Sequence, residues 1–132
     1  MASLRHERRI QAPARVVWDV VRRPDSITEW FPGVVKCLVE GMTRVITLAS
    51  GLEMVEEIMT IDNLQRRFAY RITTAVYTFH FATIDVIALS DDESLCVYST
   101  TAEPDALALI VAGGTIGALD EICRLAELRA KE

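Results

Sequence analysis

The middle of the chain, residues 34–101, is a succession of strand-like stretches separated by short turns. The turns fall at pairs of small or polar residues, such as Ser50-Gly51, Asp62-Asn63 and Asp91-Asp92. Connections this short join antiparallel neighbours, because parallel strands need a crossover of about a dozen residues. The sequence therefore predicts an antiparallel meander, with strands at residues 34–39, 44–48, 53–61, 67–73, 78–89 and 95–101.

The last quarter of the chain has the spacing of one long amphipathic helix. After Pro104, apolar residues recur at intervals of three and four, and the stripe consists of Leu107, Ile110, Val111, Ile116, Leu119, Ile122, Cys123 and Ala126. About 25 residues with a rise of about 1.5 Å each predict a rod of about 37 Å. Gly113-Gly114 falls inside this helix, where each glycine costs about 1 kcal/mol relative to alanine. We therefore expect this pair to serve a kink or a close approach to another element.

The N-terminal segment predicts one strand and two short helices. Residues 4–10 form the strand, and Pro13 suits the first position of a helix over residues 13–22, where its missing N–H costs nothing. Pro24 breaks this helix before a second helical turn at residues 26–30. The whole order predicts an α+β fold, in which a curved antiparallel sheet of about seven strands wraps around the long C-terminal helix. A sheet of that size, curled around one rod, leaves a hollow between them.

Composition restricts the classes of function. The 132 residues suit a single domain, residues 1–132, that buries a core without disulfides. The net charge of −5 disfavours nucleic acid as a partner, because binding phosphates requires a basic face. No uninterrupted apolar run approaches the roughly 20 residues of a membrane span, so we expect no stable membrane insertion. The N-terminus is charged and the three cysteines are far apart, which indicates a cytoplasmic protein with reduced thiols.

Three stretches resemble the SRPBCC superfamily, which includes START-like, polyketide cyclase/dehydrase and pollen-allergen proteins. They are Ile10-x-Ala-Pro-x-x-x-Val-Trp18 with Trp30-x-Pro, then Gly51-x-x-x-Val-Glu-Glu57-Ile-x-x-x-Asp62-x-x-x-Arg66-Arg-x-x-Tyr70-Arg-Ile72, and finally the amphipathic C-terminal helix. The resemblance covers nearly the whole chain and implies the helix-grip fold, with a cavity between sheet and helix. Members bind lipids, sterols, polyketides or plant hormones, and some cyclise or dehydrate aromatic polyketides. The fold therefore does not select one function.

Cofactor chemistry is not indicated by the sequence. Iron–sulfur members of the superfamily need Cys/His pairs at ligand spacing, and this chain has none. A nucleophile elbow and a Gly-rich phosphate loop are also missing. We therefore predict neither a metal nor a cofactor.

His80 is the first candidate for acid/base chemistry. It lies in a predicted strand between Phe79 and Phe81, and an apolar wall of this kind shifts the pKa of an imidazole. The alternative is a half-exposed strand histidine with no role in catalysis.

Glu57 is the second acid/base candidate. On strict alternation it shares a face with Val55 and Met59, which would place its carboxylate in an apolar cavity with a raised pKa. The alternative is an ion pair at the edge of the sheet, in which Glu56 or Glu57 meets an arginine, either Arg67 or Arg71.

The expected ligand contacts combine apolar and aromatic side chains. In the superfamily, the short helical turn that carries Trp30 and Phe31 closes one end of the cavity. Tyr70 and Tyr98 offer hydroxyl groups from strands that line the concave face, although buried tyrosines often hydrogen-bond within the protein instead. The full expected set is Trp30, Phe31, Met59, Tyr70, Ile72, His80, Tyr98 and Ile110.

Three functional hypotheses follow. The leading one is binding of a small hydrophobic or aromatic molecule, polyketide-, lipid- or steroid-like, in the cavity between the sheet and the C-terminal helix. The first alternative is a polyketide aromatase/cyclase or dehydratase that uses acid/base residues of the pocket. The second is a non-catalytic interaction protein whose groove is filled by side chains and whose exposed sheet edge forms a homodimer.

Overall fold

A computed structural model describes all residues from Met1 to Glu132. The strands are β1 (Ala2–Ile10), β2 (Val34–Glu40), β3 (Thr43–Leu48), β4 (Glu53–Asp62), β5 (Arg67–Ile72), β6 (Phe79–Ala88) and β7 (Ser94–Glu103). The helices are α1 (Ala14–Val21), α2 (Ile27–Trp30) and α3 (Asp105–Ala130), with a short 3₁₀ turn at Pro24–Ser26 before α2. The predicted α+β order of elements is confirmed, from the first strand to the terminal helix.

The strands form one antiparallel sheet in the order β1-β7-β6-β5-β4-β3-β2. Strands β2 to β7 pair with their neighbours in the chain, as expected for a meander, while β1 pairs with β7. The hairpin of β3 and β4 places Arg44 opposite Glu56. An irregularity in β4 between Ile58 and Thr60 shifts its pairing with β5. These two local features decide which side chains of β4 face the helix.

Helix α3 packs mainly against β1 and β7, with α1 beside it. Its buried residues are Ala108, Ala112, Thr115, Ala118, Leu119, Ile122, Cys123 and Ala126. This face differs from the predicted stripe at the N-terminal half of the helix, where Leu107, Ile110 and Val111 are not buried. The reason is that α3 packs closely on β1 and β7, at one edge of the sheet, and leaves space over strands β3 to β5.

The composition of α3 is apolar enough for a membrane span, with a mean hydropathy of 1.7 over an 18-residue window. α3 contains no uninterrupted apolar run of about 20 residues, but its charged residues are few enough for the average over 18 residues to stay apolar. Packing settles its role in the fold. The small side chains of α3 lie against the sheet, so α3 is the core helix of this domain.

The two adjacent glycines of α3 have different surroundings. A Cβ atom at Gly114 would lie 3.0 Å from the ring of Phe31, whereas one at Gly113 would meet nothing within 4 Å. Three residues further on, a Cβ atom at Gly117 would lie 3.1 Å from Pro32 Cγ. The helix runs through all three positions without a break. The expected close approach is therefore found at Gly114, where the loop after α2 lies against α3.

The opening strand–helix junction belongs to the core. Ile10, Val17 and Val20 have no exposed surface, and Trp18 is also buried. The indole N–H of Trp18 donates a 2.9 Å hydrogen bond to Asn63 Oδ1 in the β4–β5 turn. The junction thus has a structural role and ties α1 to the β4–β5 turn.

Candidate ligand cavity

A cavity of about 580 Å³ lies between the sheet and the N-terminal half of α3. Each surrounding element contributes apolar side chains, including Phe31 after α2, Ile46 in β3, Met54 in β4, Ile72 in β5 and Ile110 in α3. Fifteen of its 21 lining residues are hydrophobic. Ligand sites in proteins commonly measure about 300–1,000 Å³ and have mostly apolar walls with a few polar groups. The cavity has the size and the lining of such a site.

The exposed residues of the wall mark its opening. Leu52 in the β3–β4 turn is 58% exposed, Val76 in the β5–β6 loop is 57% exposed and Ile110 on α3 is 71% exposed. These three apolar side chains come from three different segments that converge on one end of the sheet. A ligand can therefore reach the cavity between the two loops and the helix.

A buried ion pair joins β3 to β4 at the cavity. Glu56 lines the wall and is 5% exposed, and Arg44 is 1% exposed. Arg44 Nε donates a 2.9 Å hydrogen bond to Glu56 Oε1, and its Nη2 lies 2.8 Å from the same oxygen without hydrogen-bond geometry. Burial raises the pKa of Glu56, and the charge of Arg44 opposes that shift. Glu56 is the one charged residue in the wall.

The Arg44 guanidinium is fixed from several sides. Its Nη1 donates a 2.8 Å hydrogen bond to the carbonyl oxygen of Pro24. Its carbon Cζ lies 5.3 Å from the ring centroid of Phe68 and 4.9 Å from that of Tyr70. A cation over an aromatic face is attracted to the ring, most strongly where water is excluded. Arg44 is therefore a rigid support for the Glu56 carboxylate.

Two tyrosines continue this polar cluster beneath the wall. The hydroxyl groups of Tyr70 and Tyr98 share a 2.5 Å hydrogen bond, and both residues are buried. Burial raises the pKa of Tyr70 and that of Tyr98, so both phenols are protonated at neutral pH. Tyr98 also packs edge-on against the rings of Trp30 and Phe31. Only Tyr70 of this pair reaches the cavity wall.

His80 lies behind the wall and not in it. Its Nδ1 accepts a 2.9 Å hydrogen bond from the backbone N–H of Ile72, and its ring packs against Tyr70 and Tyr77. Burial lowers the pKa of His80 from 6.5 to about 4, so the imidazole is neutral at pH 7 with its proton on Nε2. Because Nδ1 already accepts a hydrogen bond, no free lone pair is left to act as a base. His80, expected among the ligand contacts, is therefore not among the residues that line the cavity.

The expected place of Glu57 in the cavity is wrong. Glu57 faces the outside of the sheet, where it pairs with Arg71 at 2.8 Å, and both side chains are at least 41% exposed. The predicted alternation exists, but the inner face carries the other set of residues, including Met54 and Glu56. The alternative with an ion pair to Arg71 describes Glu57 correctly.

Met59 is also outside the cavity, with 44% of its surface exposed. It lies at the irregularity of β4 between Ile58 and Thr60, where Ile58 is buried and Met59 is exposed. Its assignment to the ligand contacts is therefore corrected.

Trp30 is a core residue, and the structure does not place it in the wall. Its surface is 2% exposed and its indole N–H donates a 3.0 Å hydrogen bond to Ser26 Oγ. Tyr98 is likewise withdrawn behind Tyr70. Of the expected ligand contacts, the structure brings together four in the wall: Phe31, Tyr70, Ile72 and Ile110.

Sequence reasoning missed Arg44 altogether and considered Glu56 only as a partner of Arg67 or Arg71. A signal for the correct pair was present in the hairpin. Arg44 and Glu56 lie at equal distances on either side of Ser50 in the turn, which places opposite charges across from each other in an antiparallel register.

Metal ligands are not gathered anywhere in the fold. No group of three or more His, Cys, Asp or Glu side chains lies close enough to hold a metal ion. The three cysteines are free thiols, and burial raises the pKa of Cys96 to about 12. The chemistry that the wall offers is therefore hydrophobic contact, one carboxylate and phenolic hydroxyl groups.

Solved structures share this architecture at low sequence identity. XoxI from Bacillus cereus superposes with a TM-score of 0.90 at 20% identity, over 100% of this chain and 99% of that one. A norcoclaurine synthase variant from Thalictrum flavum gives 0.78 at 21% identity, over 99% and 96%. The di-domain ARO/CYC protein BexL gives 0.78 at 19% identity, over 97% of this chain and 47% of that one. At these identities the likeness shows the fold alone.

Sequence comparison identifies the family. No curated protein matches the chain. The profile of the family described as "polyketide cyclase / dehydrase and lipid transport" matches residues 1–129, nearly the whole chain. This match and the shared fold confirm the resemblance predicted from the sequence: the chain belongs to the polyketide cyclase/dehydrase and lipid-transport family of the START-like SRPBCC superfamily.

Proposed function

We propose that this protein binds one small hydrophobic or aromatic molecule in the cavity between the sheet and α3. The observation that carries the proposal is the cavity itself, about 580 Å³ in volume with a mainly hydrophobic wall. Transfer of apolar ligand surface from water into such a wall contributes about 25 cal/mol per Å². Lipid transport is part of the family's description, and a family of that kind includes proteins that hold apolar molecules.

The open cavity also bears on the interaction-protein alternative. That hypothesis required a groove filled by side chains, whereas the side chains here leave a cavity of about 580 Å³. Homodimer formation through an exposed sheet edge stays a prediction, as does a cytoplasmic location.

Binding is tested with N-phenylnaphthylamine, an uncharged dye whose fluorescence rises when it leaves water. We expect saturable binding to the wild-type protein with one site per chain. The Met54→Trp variant places a large side chain in the wall, and we expect it to weaken binding by about tenfold or more, which corresponds to about 1.4 kcal/mol.

Val55→Trp is the matched control. Val55 is the next residue of β4, faces the outside of the sheet and is 39% exposed. We expect this variant to bind the dye as the wild type does, and circular dichroism checks that both variants fold. Equal loss in the two variants, or no saturable binding by the wild type, contradicts the proposal.

Cyclase or dehydratase activity on a poly-β-ketone is a second candidate, favoured by the position of Glu56. A carboxylate in an apolar wall with a raised pKa has the environment of a general acid. The test compares product formation by the wild type, Glu56→Gln and the outer-face control Glu57→Gln. Turnover that is lost only in Glu56→Gln, with dye binding retained, supports the enzyme. Unchanged turnover removes Glu56 as the acid or base.

A further inference from the structure

The buried ion pair leaves one carboxylate oxygen without a protein partner. Both contacts of Arg44 end on Glu56 Oε1, at 2.9 Å from Nε and 2.8 Å from Nη2. No hydrogen bond within the protein ends on Glu56 Oε2, and the residue is 5% exposed and lines the cavity. Oε2 is not one of the fully enclosed polar atoms that lack a partner, so it faces the cavity. A carboxylate accepts several hydrogen bonds, and a ligand group in the cavity can donate one to Oε2.

The other polar groups near the cavity are mostly engaged within the protein. The Tyr70 hydroxyl is bonded to that of Tyr98, and the Thr115 hydroxyl donates to the carbonyl oxygen of Ala112 at 2.6 Å. Glu56 Oε2 is thus the strongest unfilled acceptor that the wall presents. Its position is fixed, because Arg44 is itself held by Pro24.

The charge of the pair decides which donor fits. Arg44 already compensates Glu56, so an ammonium group on a ligand would bring an additional uncompensated charge into an apolar cavity. A ligand carboxylate would meet the negative Glu56 with no free cation in the wall. A neutral hydroxyl group satisfies Oε2 without adding charge. Hydrogen bonds to a charged acceptor are the stronger kind.

We propose that Glu56 Oε2 is the polar anchor of the cavity and accepts a hydrogen bond from a neutral hydroxyl group, so that the ligands are uncharged phenols or alcohols with an apolar body. This inference rests on the proposed binding function and specifies the class of ligand. It assigns Glu56 and Arg44 to specificity: Glu56 contacts the ligand, and Arg44 positions Glu56.

The test compares naphthol with its methyl ether, which has the same aromatic body but no hydroxyl donor. Affinities are measured by displacement of N-phenylnaphthylamine from the wild type and two double variants. Arg44→Met with Glu56→Leu removes the inner pair together, so no buried charge is left alone. Arg71→Met with Glu57→Leu makes the same changes at the adjacent pair on the outer face.

We expect the wild type and the outer double variant to prefer naphthol by about tenfold, equivalent to about 1.4 kcal/mol. The inner double variant should bind both probes with similar affinity and retain its affinity for the ether. Equal affinities in the wild type, or a preference that survives in the inner double variant, overturn the anchor and leave cavity binding intact. If the dye binds but neither probe displaces it, the anchor is overturned and cavity binding still stands; if the dye itself does not bind saturably to the wild type, the proposed binding function fails.

Discussion

Glu56 and Glu57 are neighbours on one strand, and each carboxylate lies 2.8 Å from an arginine, yet their surroundings are opposite. Glu56 and Arg44 are almost entirely buried beneath the cavity. Glu57 and Arg71 are about half exposed on the outside of the sheet. The same residue types at the same distance therefore serve two purposes. The outer pair is exposed to water, whereas the inner pair holds the Glu56 carboxylate in a fixed position in the wall of an apolar cavity.

The contrast shows that the distance between two charged groups does not by itself determine what their pairing contributes to stability. Exposed pairs contribute little to stability, because water and salt screen them and their side chains lose entropy on pairing. Two buried charges attract each other strongly but have both lost their hydration. Retention of such a pair in a wall that is otherwise hydrophobic is easier to explain by ligand recognition than by stability.

Removal of the arginine from each ion pair should give the largest difference in the free energy of unfolding between the inner and the outer pair. Arg44→Met leaves Glu56 charged and buried without compensation, and we expect it to lower the free energy of unfolding by about 3–5 kcal/mol. Arg71→Met leaves Glu57 in water and should cost less than about 1 kcal/mol. Urea denaturation measures both. Similar losses in the two variants would remove the distinction between the inner and outer pairs.

The pH dependence of the free energy of unfolding tests whether burial also keeps the His80 imidazole uncharged in the folded protein. The folded pKa of His80 is lowered from 6.5 to about 4, so its stabilising contribution is fully present above pH 6.5 and is lost as the pH falls toward 4. The whole effect is about 3 kcal/mol, taking about 1.4 kcal/mol for each pKa unit. His80→Asn retains an acceptor for the N–H of Ile72 and cannot titrate. We expect its unfolding free energy to vary less over this range.

His6→Asn is the control for the pH experiment, because His6 is half-exposed in β1. It should retain the wild-type loss of stability between pH 6.5 and 4. The assignment to His80 is wrong if His80→Asn shows the full wild-type slope, measured by urea denaturation at several pH values.

The smallest expected effect compares Gly113 with Gly114, again neighbours with opposite surroundings. Gly113→Ala should raise the free energy of unfolding by about 0.5–1 kcal/mol, because alanine restricts the unfolded chain and meets no atom within 4 Å. Gly114→Ala brings Cβ to 3.0 Å from the ring of Phe31, which must move. We expect it to be less stable than Gly113→Ala and to change dye binding. Equal stability and equal dye affinity in both variants would contradict the close approach.

The order of elements was predictable because it depends on local signals. Short turns with glycine or aspartate separate the strands, and Pro104 is followed by a long periodic segment. Each signal specifies one element and its immediate neighbour. In a meander, sequential neighbours are also spatial neighbours, so local signals also specified most of the sheet.

The inner face of β4 was not predictable from alternation. Met54 and Ile58 are apolar on one face, while Val55 and Met59 are apolar on the other. A shift of one residue exchanges the faces of a strand, so the choice depends on pairing. The pairing that decides it places Ile58 opposite the buried Tyr70. The alternation of apolar residues favoured the wrong face of β4, because this strand carries apolar residues on both of its faces.

The cavity needed the tertiary structure for another reason. Its wall combines side chains from α2, four strands and α3, and part of it depends on Phe31 lying against Gly114. The spacing of apolar residues within one helix or strand gives no information about a contact between two different segments. The glycine pair indicated a close approach, but not its partner.

The pairing of β1 with β7 has a consequence for the order in which the chain acquires its structure. Strands β2 to β6 find partners among segments made just before or after them, and closing such short loops is fast. β1 precedes the other strands of the sheet in the chain, and its partner Ser94–Glu103 is the last strand to emerge. Until then the backbone N–H and C=O groups of β1 have no strand beside them, which is the state in which edges associate with other chains. β1 is thus among the last strands to be incorporated into the sheet, together with α3, which packs on it.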